Sequence, residues 1–193
     1  TATLSGTSTI CYGTLSGSLP SINLTGNTGL VQWQSSTSLG GVYTNTAGTT
    51  SPVIDNGNSK YYRALVTSGV CASIPSNELL VSVDQPSAPG NISPSTQDIC
   101  IGNTPTPISL TDYVGSIQWQ SSTTNSAGTF TNMVGETNNG LVASSIDNSN
   151  TKYYQAIVKN GVCPATPSIV AAVNISQLPV PGNISLTGNS TVC

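Results

Sequence analysis

The sequence contains two copies of one pattern, and an internal repeat of this kind constrains the fold more than any other feature. The motifs Tyr61-Tyr62, Gly69-Val70-Cys71 and Pro89-Gly90-Asn91 recur 92 residues later as Tyr153-Tyr154, Gly161-Val162-Cys163 and Pro181-Gly182-Asn183. Cys11 and Cys100 are 89 residues apart, and Trp33 and Trp119 are 86 apart. Strands that keep their place while loops change in length produce such differences. We therefore predict two units of similar fold.

A third copy begins near the end of the sequence. Residues 4–11 match residues 186–193, so Cys193 is interpreted as the first cysteine of a third unit whose partner lies outside the chain. The predicted organisation is a repeat over residues 1–85, a proline-containing linker over 86–92 and a second repeat over 93–177. A linker and the start of a third repeat are expected over 178–193.

Each unit shows the alternation of strands and no helical periodicity. Leu30 to Gln34 and Ile117 to Gln120 alternate around a tryptophan, and Tyr61 to Val66 alternate as well. Clusters of Gly, Asn, Ser and Pro separate these runs as turns would. The prediction is an all-β chain of tandem Ig-like β-sandwich domains arranged end to end. Trp33, Trp119, Tyr62 and Tyr154 are expected in the cores, with exposed sugar-stacking tryptophans as the less favoured alternative.

The cysteines indicate structural disulfides in an oxidising, extracellular setting, because the chain has no CxxC motif and no histidine to complete a zinc site. The predicted pairs are Cys11–Cys71 and Cys100–Cys163. Each bond would pin the N-terminal strand of a unit to the hairpin between its last two strands. Redox switching is disfavoured, since no base or helix terminus is expected near a thiol.

The residues present disfavour metal binding and catalysis. Residues 55–59 and 147–151 resemble calcium loops, but each has one carboxylate and lacks a distal glutamate, so Asx turns are favoured over a metal. The absence of histidine excludes Ser–His and Cys–His mechanisms, and we expect no enzyme and no cofactor.

Charged residues make up 6% of the chain against roughly 25% in ordinary domains, with only four bases. Nucleic acid is therefore not an expected partner, and no apolar run is long enough for a membrane span.

The order of motifs resembles a known repeat class. Cys11-Tyr12-Gly13, then Gln32 to Thr37, then Tyr61 to Cys71 recur as Cys100-Ile101-Gly102, Gln118 to Thr123 and Tyr153 to Cys163. This series is similar to the Ig-like repeats of giant surface adhesins in Bacteroidetes, including the SprB type used in gliding motility. The resemblance implies export by the type IX secretion system and display at the cell surface.

The function expected from these features is that of a structural or adhesive repeat segment, a stalk, in a large bacterial surface adhesin. A segment of an extracellular filament is the first alternative, and a carbohydrate-binding module of a secreted protein is the second. The expected partners are neighbouring repeats of the same chain. Surface glycans, other cells and identical chains remain open as further partners.

Overall fold

The structure is a computed structural model that describes residues 3–6, 9–14, 19, 21–48, 50–185 and 188. Strands carry the described fold, and the prediction of an all-β chain is confirmed. The strands of the first half, called repeat 1, are β1 Thr3–Ser5, β2 Thr9–Cys11, β3 Asn23–Thr25, β4 Leu30–Ser36, β5 Thr44–Asn45, β6 Lys60–Thr67, β7 Ile74–Pro75 and β8 Leu79–Asp84. Those of the second half, repeat 2, are β9 Ala88–Ser93, β10 Thr96–Cys100, β11 Ile108–Val114, β12 Ser116–Ser122, β13 Thr131–Asn132, β14 Gly140–Leu141, β15 Lys152–Lys159, β16 Thr166–Pro167 and β17 Ala171–Ser176.

Both repeats build their larger sheet in the same order. In repeat 1 the order is β2-β8-β6-β4-β5, with β7 also paired to β6. In repeat 2 it is β10-β17-β15-β12-β13, with β16 paired to β15. The first cysteine-bearing strand runs parallel to the last strand of its repeat in both cases, and the other pairs are antiparallel. The smaller sheets are β1-β3 and β14-β11-β9.

Each repeat has its own hydrophobic core centred on its tryptophan. Trp33 lies opposite Ala64 in the β4–β6 register, and Trp119 lies opposite Ala156 in the β12–β15 register. All four of these residues are fully buried, and the alanine leaves room for the large ring across from it. The core residues of repeat 1 and repeat 2 form two separate clusters that share no residue.

The linker predicted over residues 86–92 is wrong for its second part, because residues 88–92 belong to β9. Proline is compatible with this strand because β9 is at the edge of its sheet, where a missing N–H costs no ladder bond. Gly90 has a φ of 72°, and a Cβ there would lie 2.4 Å from the Thr111 carbonyl oxygen. Glycine is therefore required by close backbone approach within a strand. From the sequence alone, Gly90 indicates a turn.

The two cysteines of a repeat lie at opposite ends of its sandwich. Cys11 is paired in register with Asp84, beyond the Lys60 end of β6, whereas Cys71 follows the Thr67 end. We call the first of these the exit end (Cys11 and Asp84 in repeat 1, Cys100 and Ser176 in repeat 2). The other is the hairpin end (residues 68–71 in repeat 1, 160–163 in repeat 2). An eight-residue strand separates the two ends by roughly 26 Å.

Among the residues that the structure describes, there is no helix long and apolar enough to cross a membrane.

Candidate functional site: the junction between the repeats

A disulfide joins the exit end of repeat 1 to the hairpin end of repeat 2. Cys11 and Cys163 have a Cα–Cα distance of 4.9 Å and are 152 residues apart in the sequence. The predicted pairs Cys11–Cys71 and Cys100–Cys163 are therefore wrong. Two cysteines at opposite ends of one sandwich are too far apart, because a disulfide requires Cα atoms within about 7 Å of each other.

The sequence indicates where the second cysteine of a repeat lies, but not where the first one does. The second cysteine follows the penultimate strand, and a hairpin there sends the last strand back along the sandwich. The linker to the next repeat must then leave at the end opposite the second cysteine. What the sequence did not show is that the strand bearing Cys11 runs parallel to the last strand, which brings Cys11 to that same exit end.

The remaining cysteines differ sharply from this pair. Cys163 is fully buried, whereas Cys71 and Cys100 are exposed and have no disulfide partner in the described part of the chain. Cys193, predicted to open a third repeat, lies outside the described residues. The structure thus brings together one cysteine from each repeat, and the other cysteine of each repeat is unpaired among the residues that the structure describes.

Asp84 is the polar centre of the junction. Its carboxylate accepts a hydrogen bond from the Val162 N–H at 3.0 Å, across the boundary between the repeats. Its carbonyl oxygen accepts a hydrogen bond from the Tyr12 N–H at 2.8 Å. The same carbonyl lies 3.5 Å from Cys163 Sγ, a packing contact because a disulfide sulfur has no hydrogen to donate. Nothing in the local sequence around Asp84 indicates a role at the junction.

The linker between the repeats is held by the hairpin of repeat 2. The Ser87 hydroxyl donates to the Pro164 carbonyl at 2.7 Å and accepts from the Asn160 N–H at 2.9 Å. The Asn160 side chain donates to the Gln85 carbonyl at 2.7 Å. Three hydrogen bonds therefore fix the linker chain against the hairpin end, in addition to the covalent bond.

Gly161 allows the two repeats to approach this closely. It has a φ of 49°, and a Cβ at this position would lie 1.9 Å from Asp84 Oδ2. A Cβ would displace the Asp84 carboxylate from this position, and the positive φ also favours glycine. Gly69, the matching residue of repeat 1, has a φ of 54° but meets nothing within 4 Å.

The two Asp-containing loops form Asx turns, as the sequence indicated. Asp55 Oδ1 accepts from the N–H groups of Gly57 and Asn58, and Asp147 Oδ1 does the same with Ser149 and Asn150. The other oxygen of each carboxylate pairs with a lysine, Lys60 at 2.7 Å and Lys152 at 2.9 Å. The described residues contain no group of three or more Cys, Asp or Glu side chains placed to hold a metal ion.

These contacts lower the pKa of both carboxyl groups. The Lys60 hydrogen bond lowers the pKa of Asp55, and partial burial opposes it. For Asp147, partial burial raises the pKa, but hydrogen bonds from Ser149, Lys152 and Asn150 outweigh it, so the pKa is again lowered.

The buried tyrosines Tyr62 and Tyr154 form hydrogen bonds with the two Asp-containing loops. The Tyr62 hydroxyl accepts the Asp55 N–H at 2.8 Å, and the Tyr154 hydroxyl accepts the Asp147 N–H at 2.8 Å. Burial raises the pKa of both tyrosines. Trp33 and Trp119 have no exposed surface, so neither ring can stack on a sugar.

Fold and junction together define a tandem-repeat β protein whose repeats are bonded to each other. The family model described as "Domain of unknown function (DUF8696)" matches residues 1–85 and again residues 88–177. The chain therefore belongs to that family and contains its domain twice.

The comparisons with curated proteins and solved structures do not identify a further family. No curated protein matches the sequence. One solved structure, titled "Ca2+-stabilized adhesin helps an Antarctic bacterium reach out and bind ice", is 8% identical with a TM-score of 0.37. The match covers 91% of this chain and 49% of the other, so this chain spans about half the length of that protein. Such a TM-score is too low to establish a shared fold.

Proposed function

We propose that this chain is a stalk segment of a large extracellular bacterial surface adhesin, in which the repeats supply reach and carry mechanical load. The observation that carries the proposal is the Cys11–Cys163 bond between the exit end of one repeat and the hairpin end of the next. A bond between opposite ends of successive repeats supports the end-to-end arrangement that a stalk requires. The finer assignment, a SprB-like gliding-motility adhesin exported by type IX secretion, rests on the motif resemblance alone.

The bridge gives a physical reason why such a segment would resist tension. Cys11 and Cys163 are separated by 152 residues, which include most of both repeats. Force applied at the two ends of the chain would pass through the sulfur–sulfur bond. The strands between the two cysteines could then unfold without adding length, because the covalent loop holds their ends together.

An extracellular location fits the same chemistry. Disulfides form and persist in oxidising compartments and are rare where cellular thiols keep cysteines reduced. A buried disulfide at the junction, with Cys163 fully covered, is suited to a structural role in such a setting.

Single-molecule pulling tests the load-bearing role. The oxidised chain, attached near both ends, should extend by roughly 500 Å less than the Cys163→Ser variant, given about 3.4 Å for each residue between the bonded cysteines. A Cys71→Ser variant should behave like the unsubstituted chain, because Cys71 has no partner here. Equal extension of the oxidised chain and Cys163→Ser would show that the bridge does not carry the load.

Binding and association experiments separate the stalk from its alternatives. A pure stalk segment should bind no glycan on an array, and the buried tryptophans favour that result. Specific glycan binding would instead support a carbohydrate-binding module. Side-by-side association of the purified chain into fibres, seen by electron microscopy, would support the filament alternative.

A further inference from the structure

The unpaired cysteines are held in the same local structure as the bonded ones. The Cys71 N–H donates to the Ser68 carbonyl at 3.0 Å, as the Cys163 N–H donates to the Asn160 carbonyl at 2.9 Å. Gly69 and Gly161 both have a positive φ, 54° and 49°. The hairpin end of repeat 1 therefore has the turn that the bonded hairpin end of repeat 2 uses.

The exit ends match in the same way. The Ile101 N–H donates to the Ser176 carbonyl at 3.0 Å, as the Tyr12 N–H donates to the Asp84 carbonyl at 2.8 Å. The Gly102 N–H and the Gly13 N–H each donate, at 2.9 Å, to the carbonyl of an asparagine in the Asx-turn loop, Asn148 and Asn56 respectively. The backbone that presents Cys11 to its partner is thus already formed around Cys100.

An open groove lies beside Cys71. It has a volume of about 310 Å³, and its lining includes Asn27, Thr28, Val66, Ile74 and Pro75. In repeat 2 the corresponding region is covered, because Val114 pairs with Ala88 and β9 packs against β15 and β16. What fills this place in repeat 2 is the linker and first strand that follow a preceding repeat.

Exposure of the hairpin itself shows the same difference. Val70 is fully exposed, whereas Val162 is reduced to 54% exposure beside Asp84. The space over Gly161 is filled by the Asp84 carboxylate, and the space over Gly69 is open. The hairpin end of repeat 1 therefore presents the same turn with a more exposed surface, and the contact of Asp84 with Gly161 shows how an exit end packs against that turn.

We propose that both open ends bind further copies of this repeat and are bonded to them. The hairpin end of repeat 1 takes the exit end of another copy, with Cys71 bonded to that copy's first cysteine. The exit end of repeat 2 takes the hairpin end of another copy, with Cys100 bonded to that copy's second cysteine. The proposal rests on the observed junction and is independent of the adhesin role.

The new junction at repeat 2 differs from the observed one in its polar contacts. Ser176 stands where repeat 1 has Asp84, and Pro179 stands where the first linker has Ser87. The carboxylate acceptor and the linker hydroxyl are therefore absent. Backbone geometry, the groove and the disulfide remain to hold the next copy.

The bond forms by thiol–disulfide exchange with a small disulfide such as oxidised glutathione. Cys71 and Cys100 each lose a proton, and together they lose two electrons as their sulfurs join. The small disulfide accepts both electrons and both protons and is released as two thiols.

A second copy of the chain is the probe for this docking. Every protein carries Cys193→Ser, so that Cys71 and Cys100 are the only thiols besides the bonded pair. One partner also carries Cys71→Ser and so has a free thiol only at its exit end. The other carries Cys100→Ser and has a free thiol only at its hairpin end. The two proteins are mixed in a glutathione redox buffer, each protein at about 1 mM. This is the effective concentration that a short flexible linker provides.

The mixture should give a covalent heterodimer whose linking peptide contains Cys71 and Cys100. It should exceed the homodimers of either partner by at least about tenfold, because only complementary ends dock. Homodimers of equal abundance, or no heterodimer at this concentration, would overturn the proposal.

A Gly69→Asn substitution in the partner with Cys71 separates docking from random collision of exposed thiols. Asparagine tolerates a positive φ, and its side chain would occupy the space over residue 69 that Ser176 of the other copy, the counterpart of Asp84, takes up on docking. Heterodimer yield should fall about tenfold, while the melting temperature and the alkylation rate of Cys71 by iodoacetamide stay unchanged. An unchanged yield would mean that the thiols react by collision, and the proposal would fail.

Discussion

The hairpin ends of the two repeats have the same turn but different surroundings. Cys71 is exposed and has no disulfide partner among the described residues, whereas Cys163 is fully buried in a disulfide. Both turns carry a glycine with positive φ and the same backbone hydrogen bond. The comparison shows that the turn is set by local sequence, while burial and bonding depend on whether another repeat lies against it.

The largest effect expected from this comparison is the loss of the bridge. Cys163→Ser should lower the free energy of unfolding by about 5 kcal/mol, because the unfolded chain regains the loop entropy of the 152-residue separation. Cys71→Ser should change it by less than about 0.5 kcal/mol, since Cys71 is exposed and unpaired. Urea unfolding under oxidising conditions measures both. Equal losses in the two variants would contradict the bonding difference.

Substitution of the paired glycines comes next. Gly161→Ala and Gly69→Ala share the strain of a positive φ, so their difference isolates the junction. Gly161→Ala should cost about 1 kcal/mol more, because its Cβ would displace the Asp84 carboxylate and break its hydrogen bond with the Val162 N–H. Thermal unfolding of both variants gives the comparison. If alanine is tolerated equally at the two positions, the close packing over Gly161 is not maintained in solution.

Asp84 and Ser176 form a third matched pair, one at an occupied exit end and the other at an open one. Asp84→Ala removes the acceptor of the Val162 N–H and should cost about 1 kcal/mol. Ser176→Ala keeps the backbone carbonyl that accepts the Ile101 N–H and should have almost no effect. Amide hydrogen exchange at Val162 provides a local measurement. Faster exchange is expected in Asp84→Ala alone, and unchanged protection there would argue against this hydrogen bond.

Acid should affect both repeats alike, and this effect is the smallest. The pKa of Asp55 and the pKa of Asp147 are lowered in the folded state, so the stabilisation is present above the unfolded pKa of 3.8 and is lost as the pH falls through the folded pKa. Each pair is partly exposed and contributes at most about 1 kcal/mol. Asp55→Asn and Asp147→Asn should each reduce the slope of stability against pH below this value by similar amounts. A marked difference between them would mean that the repeats differ beyond their junctions.

Local patterns predicted the strands and turns well. The alternation around Trp33 and Trp119 and the tyrosine-containing strands correspond to β4, β12, β6 and β15. The Asx turns at Asp55 and Asp147 were predictable too, because their hydrogen bonds reach only two or three residues along the chain. Interactions this short in sequence are determined by the residues in the motif itself.

Linker and junction were harder to predict. Pro89 and Gly90 indicate a turn by residue type, yet they lie in β9 because an edge strand accepts proline and a close carbonyl requires glycine. Asp84 has no local signal, since its role depends on Gly161 and Val162, more than 70 residues away.

The sequence by itself determined that the chain is a repeat of strands, because hydrophobic alternation and turn residues act over a few neighbouring positions. Only the tertiary structure decided which cysteines meet. A disulfide depends on the distance between two Cα atoms in space, and that distance follows from the direction of every strand in the sheet. The parallel pairing of β2 with β8 brings Cys11 to the exit end, so that it bonds to the next repeat and not to its own.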